Sequence, residues 1–276
     1  MRFKLGFAVA VLMFVVGCAQ QHHGVPEAGA PDSQSLSRSQ SEQQVDASKQ
    51  SLSSPQLEQA GASKRLGTQW GEGLSSDVTT VDLQRISSQP VDVIEIHYSA
   101  ARHMGNAIQE AMIANGRIGM SVLNENGNKW KLVKDGQRLY LRGREGERYQ
   151  LFYRNYSQNT YEIVATVDGL DVLDGSAGSL SNRGYILYPN STLKIEGFRK
   201  SQNEVAAFRF SAPRDSYAAN TDAGSVRNAG VIGTAVFKLN NPRPVTSPRS
   251  GSQQTPQSFP GDNPGDSYAP PPNYRR

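Results

Sequence analysis

The strongest constraint on the fold is a series of short β-branched or aromatic runs that begins at Gly119 and is broken by turn residues. Asn126-Gly127 and Asp135-Gly136 are dipeptides typical of tight hairpin turns. Runs such as RYQLFYRNYS and RGYILYP follow, with Gly, Asn, Pro or Ser between them. Because turns rather than helices join these runs, antiparallel pairing is favoured. We therefore predict a mainly β fold, an antiparallel β-sandwich, as one domain over residues 65–240.

The segment PVDVIEIHYS, which precedes these runs, alternates between apolar and polar residues. This period of two predicts a half-buried strand. The predicted inner face holds Ile94, Ile96 and Tyr98, and the predicted outer face holds Glu95, His97 and Ser99.

One packed α-helix is predicted between Ser99, at the N-cap position, and Gly116, at the C-terminal stop. Its core-facing stripe has helical spacing and consists of Met104, Ala107, Ile108, Ala111 and Met112.

Residues 1–17 have the pattern of a cleaved secretory signal. Arg2 and Lys4 precede an apolar run of about a dozen residues, fewer than the roughly twenty that a membrane-spanning helix needs. An ordinary soluble export signal is the alternative interpretation. The position of the chain's single cysteine, Cys18, argues for a more specific one.

The sequence VVGC, which ends at Cys18, resembles the lipobox of bacterial lipoproteins. The resemblance implies that the Cys18 sulfur is lipidated with diacylglycerol and that the new amino terminus is acylated, for example by palmitate. At least two acyl chains are needed for stable anchoring. The expected location is therefore the cell envelope, and Ala19 after the cysteine favours the outer membrane over the inner one.

Two flanking segments lack the composition of a packed domain. Residues 18–64 are rich in Ser and Gln and contain no aromatic residue, which predicts a disordered tether. The segment 241–276 has nine prolines in its last 35 residues, which predicts a disordered, partly polyproline tail. The tail is either a peptide ligand for another envelope protein or simply a disordered end.

Metal and cofactor chemistry is not expected. Asp168, Asp171 and Asp174 are spaced by three, whereas calcium loops place ligands at every second position, so Asp-Gly turns are the preferred interpretation. The adjacent pair of His22 and His23 lacks the further ligands that a metal site needs. No cofactor is predicted.

An enzyme is not predicted either. A hydrolytic site would have to use His97 or His103 with a nearby carboxylate, and no nucleophile-elbow motif surrounds any serine. An envelope hydrolase therefore stays as the alternative function.

Residues 129–154 form the one stretch with a local excess of positive charge. They contain eight Lys or Arg against three Asp or Glu, with aromatic residues between them. Such a face can bind polyanions or stack on sugar rings, and the plainer alternative is that the cations keep exposed strands soluble. Strand alternation would place Arg138, Tyr140 and Arg142 on one face. The predicted polyanion or glycan site consists of Lys129, Trp130, Lys131, Arg138, Tyr140, Arg142, Arg144 and Arg148.

The phrases VATVDGLDVLDG, RGYILYP and IEGFRKSQNEVAAFRF also resemble a β-rich module of uncharacterised bacterial lipoproteins. This resemblance implies no activity and supports one module over 65–240. Since 20 Lys or Arg stand against 18 Asp or Glu in that range, no nucleic-acid partner is expected. The prediction is a membrane-anchored, non-enzymatic binding or structural module whose partner is an envelope protein or an anionic glycan.

Overall fold

The structure is a computed structural model that describes residues 64–240, 257–258 and 268–274. All of them belong to one compact unit. In this part of the chain, regular structure consists of eighteen strands and three short 3₁₀ helices, Pro213–Asp215, Tyr217–Ala219 and Val226–Asn228. In chain order the strands are β1 (Gly67–Ser75), β2 (Thr79–Thr80), β3 (Gln84–Arg85), β4 (Asp92–Ser99), β5 (Asn106–Ile108), β6 (Ala111–Ile113), β7 (Ile118–Asn124), β8 (Leu132–Asp135), β9 (Arg138–Arg142), β10 (Arg148–Asn155), β11 (Tyr161–Val167), β12 (Leu170–Asp171), β13 (Tyr185–Leu187), β14 (Thr192–Ile195), β15 (Gly197–Arg199), β16 (Glu204–Ser211), β17 (Val231–Asn240) and β18 (Gln257–Ser258).

The strands form two sheets that enclose a common hydrophobic core, which confirms the mainly β prediction. Sheet 1 has seven strands in the order β1-β16-β10-β7-β6, with β14 beside β10 and β15 beside β16. Sheet 2 has eleven strands in the order β2-β18-β13-β11-β17-β4-β9-β8-β5, with β12 beside β11 and β3 beside β17. Both sheets contribute to the main core cluster, sheet 1 through Phe208 and sheet 2 through Ile96, for example.

The sheets are not wholly antiparallel, in contrast to the prediction. Strand β4 runs parallel to β9, and β18 runs parallel to β2. A parallel pair needs a long crossover connection. The chain from β4 to β9 meets this requirement by passing through sheet 1 at β6 and β7 before it returns to sheet 2.

Tight turns join several of the strands, as the sequence predicts. Strands β8 and β9 form an antiparallel hairpin across Gly136, which has a φ of +58°. Strands β11 and β12 are joined by Asp168-Gly169, both at positive φ (+54° and +79°), the backbone that a two-residue type I′ hairpin turn requires. The interpretation of Asp168-Gly169 as a turn pair is therefore confirmed.

The predicted helix between Ser99 and Gly116 is wrong. Ser99 ends β4, and the following residues form β5 in sheet 2 and β6 in sheet 1. Met104, which the helical stripe placed in the core, is 87% exposed, and Ala114 and Asn115 have positive φ values of +52° and +56°. A right-handed helix excludes such backbone. The chain instead uses this stretch to cross from one sheet to the other.

Two parts of the segment predicted to be a disordered tail are ordered and contact the domain. Strand β18 pairs with β13 and β2 in sheet 2. Residues 268–274 lie on the domain surface, where Ala269 is only 4% exposed. The predicted N-terminal segments, 1–17 and 18–64, lie outside the described residues except for Lys64.

Candidate functional site

The outward face of β4 provides one side of the candidate site. Ile96 and Tyr98 are buried, whereas the side chains of His97 and Glu95 are 39% and 62% exposed, so the predicted alternation is confirmed. The Nε2 atom of His97 lies 3.9 Å from a carboxylate oxygen of Glu95.

Strand β9 provides the other side. Leu139 and Leu141 point into the core, and Arg138, Tyr140 and Arg142 lie on the outer face. The parallel register places Tyr140 opposite His97. The alternation within β9 was predictable from the sequence, and the proximity of β9 to the histidine strand was not.

His103 completes an aromatic cluster on this face. Its ring stacks on Tyr140 with centroids 4.1 Å apart and an interplanar angle of 11°, and the His97 ring lies 5.9 Å from the same tyrosine. The Nε2 atom of His103 is 3.2 Å from Ser99 Oγ, which also accepts a hydrogen bond from the Ala101 N–H.

Gly105 allows the loop that carries His103 to return to the sheet. Its φ is +148°, and a Cβ atom at this position would lie 2.4 Å from the Lys134 carbonyl oxygen. Only glycine tolerates both the backbone conformation and the close approach. The loop therefore passes tightly over β8, next to the β9 strand on which His103 stacks.

These side chains line an open groove of about 860 Å³ on the outer face of sheet 2. A neighbouring cavity of about 600 Å³ is also lined by Val93, Glu95 and Val231, so the two lie side by side on the sheet. The residues that line the groove include Arg65, Glu95, His97, Ser99, His103, Arg138, Tyr140, Gly230 and Val231.

A buried hydrogen-bond network holds the inner wall of the groove. Asp168 Oδ1 accepts hydrogen bonds from the Tyr98 hydroxyl (2.5 Å) and the Gly230 N–H (2.8 Å), and Oδ2 accepts from the Thr68 N–H (2.7 Å). Thr68 Oγ1 lies 2.7 Å from both the Tyr98 and the Tyr149 hydroxyl oxygens. This network links β1, β4, β10 and the residue before β17.

Burial determines the charge state of this network. Desolvation raises the pKa of Asp168 to about 6, although its three donors favour the ionised form. Burial also raises the pKa values of Tyr98 and Tyr149 well above the usual range. The tyrosines are therefore neutral hydrogen-bonding groups.

The eight residues of the predicted polyanion site do not form one surface. Trp130 stacks on Phe210 (5.5 Å, 15°) and is half-buried. Lys131 is exposed outside the groove, where it lines neither cavity. Only Arg138 and Tyr140 line the groove, and Arg142 lies on the same face, in register with Ser99.

Three further cations of that prediction are paired with carboxylates instead. The ion pairs join Lys129 to Glu110 at 2.8 Å, Arg148 to Glu72 at 2.9 Å and Arg144 to Glu147 at 3.7 Å.

Asp171 and Asp174 of VDGLDVLDG serve local structure. Asp171 Oδ1 accepts from the N–H groups of Leu173 and Asp174, and Asp174 Oδ1 accepts from the Ser176 N–H. Among the described residues, no group of three or more His, Cys, Asp or Glu side chains is arranged to hold a metal ion. His22 and His23 lie outside the described residues.

The predicted anchor also lies outside the described residues, since Cys18 is not among them. Within the part of the chain that the structure describes, no helix is long and apolar enough to cross a membrane.

Comparison of the chain with protein families, with curated proteins and with solved structures finds no match. The function must therefore be inferred from the site itself.

Sequence reasoning missed the contact of Ser99 with His103 and the burial of Asp168. The helix predicted after Ser99 would have placed His103 one turn along it, away from β9. For Asp168, the Asp-Gly turn pair was the available signal, and it indicated the turn without indicating what the carboxylate binds.

Proposed function

We propose that this protein is a non-enzymatic binding module of the bacterial cell envelope, and that the groove between β4 and β9 binds an anionic glycan. The observation that carries the proposal is the stacked pair of His103 and Tyr140 in an open groove, next to the cations Arg138 and Arg142. Aromatic rings bind the faces of sugar rings, and guanidinium groups bind carboxylate or sulfate groups.

The charge of these two arginines supports the proposal. Both are exposed, and neither forms an ion pair within the described residues, whereas Lys129 and Arg148 do. Arg142 makes one hydrogen bond, from Nε to the Ala100 carbonyl oxygen. Their charges are therefore available to a ligand.

The shape of the cleft favours a polymer over a small molecule. Small-molecule sites usually enclose most of their ligand. Here the groove is open, and the neighbouring cavity lies beside it over β17 and β11, with Gly169, Gly178 and Gly233 in its lining. A chain of several sugar units fits such a surface better than a compact ligand does.

The location follows from the resemblance of VVGC to a lipobox. Lipidation of Cys18 would hold the chain on a membrane, and the segment up to residue 64 would act as its tether. At about 5 to 6 Å times the square root of residue number, a flexible tether of this length places the domain some 35 to 40 Å from the anchor on average.

The test is titration of the unlipidated chain with polygalacturonate and dextran sulfate, with neutral dextran as the reference ligand. The double variant Arg138→Glu and Arg142→Glu is expected to weaken polyanion binding at least tenfold, and added salt is expected to weaken binding by the wild type. The matched control, Lys131→Glu with Arg144→Glu, changes the net charge equally outside the groove and is expected to bind as the wild type does. Equal losses in both double variants, or no binding by the wild type, would contradict the proposal.

One observation favours a second candidate, an envelope hydrolase. Ser99 Oγ lies 3.2 Å from His103 Nε2, within reach for proton transfer. No carboxylate forms an ion pair with His103 among the described residues, and the Ala101 N–H occupies an acceptor site of the serine. Assays on cell-wall and ester substrates decide between the binding module and the hydrolase. Equal turnover by the wild type and by the His97→Ala, His103→Ala variant would exclude the hydrolase function.

A further inference from the structure

The C-terminal segment Tyr268–Tyr274, with the sequence YAPPPNY, lies in a second groove, far along the chain from the elements it contacts. The groove is formed by the turn after β12, the end of β15 and the 3₁₀ helix Tyr217–Ala219. This site is independent of the groove between β4 and β9.

Ala269 is the anchor of the segment. Its N–H donates to the carbonyl oxygens of Arg199 (2.8 Å) and Leu173 (3.2 Å), and the residue is 4% exposed. A Cβ atom at Gly175 would lie 3.1 Å from the Cα and Cβ atoms of Ala269 and 2.6 Å from the Tyr217 hydroxyl oxygen. The anchor position is therefore closely surrounded and accepts a small side chain.

The rest of the segment is attached at intervals and stays on the surface. The Pro270 carbonyl oxygen accepts from the Tyr217 hydroxyl (2.7 Å), and the Asn273 N–H donates to the Asn220 carbonyl oxygen (2.7 Å). Pro270, Pro271, Asn273 and Tyr274 are exposed, so the contacts resemble those of a bound peptide more than those of a core strand.

The groove itself is built from the domain. Trp70, Phe198 and Tyr217 form an aromatic cluster with centroids 4.9 Å (Trp70 to Tyr217) and 4.5 Å (Phe198 to Tyr217) apart. Tyr217 is the member of this cluster that contacts the segment, through its hydroxyl on the Pro270 carbonyl oxygen, and a polyproline segment held in this way loses little entropy on binding.

We propose that this groove is a specific binding site for a peptide with a small residue followed by three prolines, and that residues 268–274 are its resident ligand. The segment follows β18, which is paired in sheet 2, after residues 259–267, so it binds as a tethered ligand at a high effective concentration. The tail therefore prevents a separate peptide of the same sequence from binding in the groove.

The test uses the full chain with the substitution Ala269→Glu, which places a charged side chain in the anchor position and releases the tail. The probe is a fluorescent peptide of residues 267–276, SYAPPPNYRR. We expect the peptide to bind this variant at least tenfold more tightly than it binds the wild type, whose own tail occupies the groove. The Asn273→Ala variant is the matched control, because Asn273 contributes its backbone N–H, and it is expected to exclude the peptide as the wild type does.

A peptide with glutamate in place of the anchor alanine is expected not to bind any variant. Absence of peptide binding to a folded Ala269→Glu chain, or equal binding to that variant and the wild type, would overturn the proposal. If Ala269→Glu prevents folding, a second variant has Pro270, Pro271 and Pro272 all replaced by glycine, which weakens tail docking without adding charge. Peptide binding by this variant is then compared with peptide binding by the wild type, with the same two outcomes.

Discussion

Asp168 lies just before the short strand β12 and Asp171 ends it, and both are 1% exposed, yet their carboxylates have different partners. Asp168 accepts three hydrogen bonds from three separate segments of the chain. Asp171 accepts two, both on Oδ1 and both from its own turn, and its Oδ2 has no partner among the described residues.

The difference shows that equal burial does not mean equal contribution to stability. A buried carboxylate stabilises a fold when its donors come from elements that would otherwise separate, and it is a cost when its charge is desolvated without full compensation. Asp168 thus holds the inner wall of the β4–β9 groove, whereas burial and the nearby Asp174 raise the pKa of Asp171 to about 7. Three predictions test this contrast.

The largest effect is expected for Asp168→Ala. The substitution leaves the Tyr98 hydroxyl and the Thr68 and Gly230 N–H groups without their buried acceptor, which should lower the free energy of unfolding by roughly 3 to 5 kcal/mol. Urea denaturation at pH 7 measures it. The control is Asp174→Ala, which removes a half-buried carboxylate from the same segment, and a loss no larger than the control's would contradict the role of Asp168.

The second prediction concerns pH. Because the folded-state pKa of Asp171 is raised from 3.8 to about 7, its protonated form stabilises the fold below about pH 4, and that contribution is lost as the pH rises through 7. Asp171→Asn removes this dependence. The variant should therefore gain stability over the wild type between pH 4 and pH 8, on the order of 4 kcal/mol at the upper end.

Thermal unfolding of both proteins across this pH range measures the gain. Asp168, with a pKa of about 6, changes the stability of both proteins with pH by the same amount. Its contribution therefore cancels in the stability difference between variant and wild type. A difference between the two proteins that does not change with pH would show that Asp171 is ionised throughout or does not titrate in this range.

The smallest effect is expected for single tyrosine hydroxyls of the network. Tyr98→Phe removes the donor to Asp168 and a contact with Thr68, for a loss of about 1 to 2 kcal/mol, because the Gly230 N–H still satisfies Oδ1. Tyr149→Phe removes only a contact with Thr68 and should cost less. Urea denaturation that gives the reverse order would mean that Thr68, rather than Asp168, is the centre of the network.

Features that depend on neighbouring residues were predictable from the sequence. The alternation in β4 and β9 assigned His97 and Tyr140 to outer faces, because a strand has a period of two wherever it lies. Asp168-Gly169 indicated a turn because few residues adopt two successive positive φ values.

Features that depend on distant partners were not predictable. The residues from Met104 to Met112 fit a helical stripe, but the local pattern did not reveal that this stretch has to connect two sheets. The parallel pairing that brings β9 beside β4, and with it Tyr140 beside His97, also has no local signal, since strand order is decided by packing of the whole core.

The sequence by itself thus determined the class of the fold, the faces of its strands, its turns and the expectation of a lipid anchor at Cys18, all of which depend on short-range pattern. Only the tertiary structure decided which faces meet, which of two neighbouring aspartates holds the core, and that residues 268–274 return to the domain. The physical reason is that these outcomes depend on the free energy of contacts between residues far apart in the chain, such as Ala269 with Arg199 or Thr68 with Asp168.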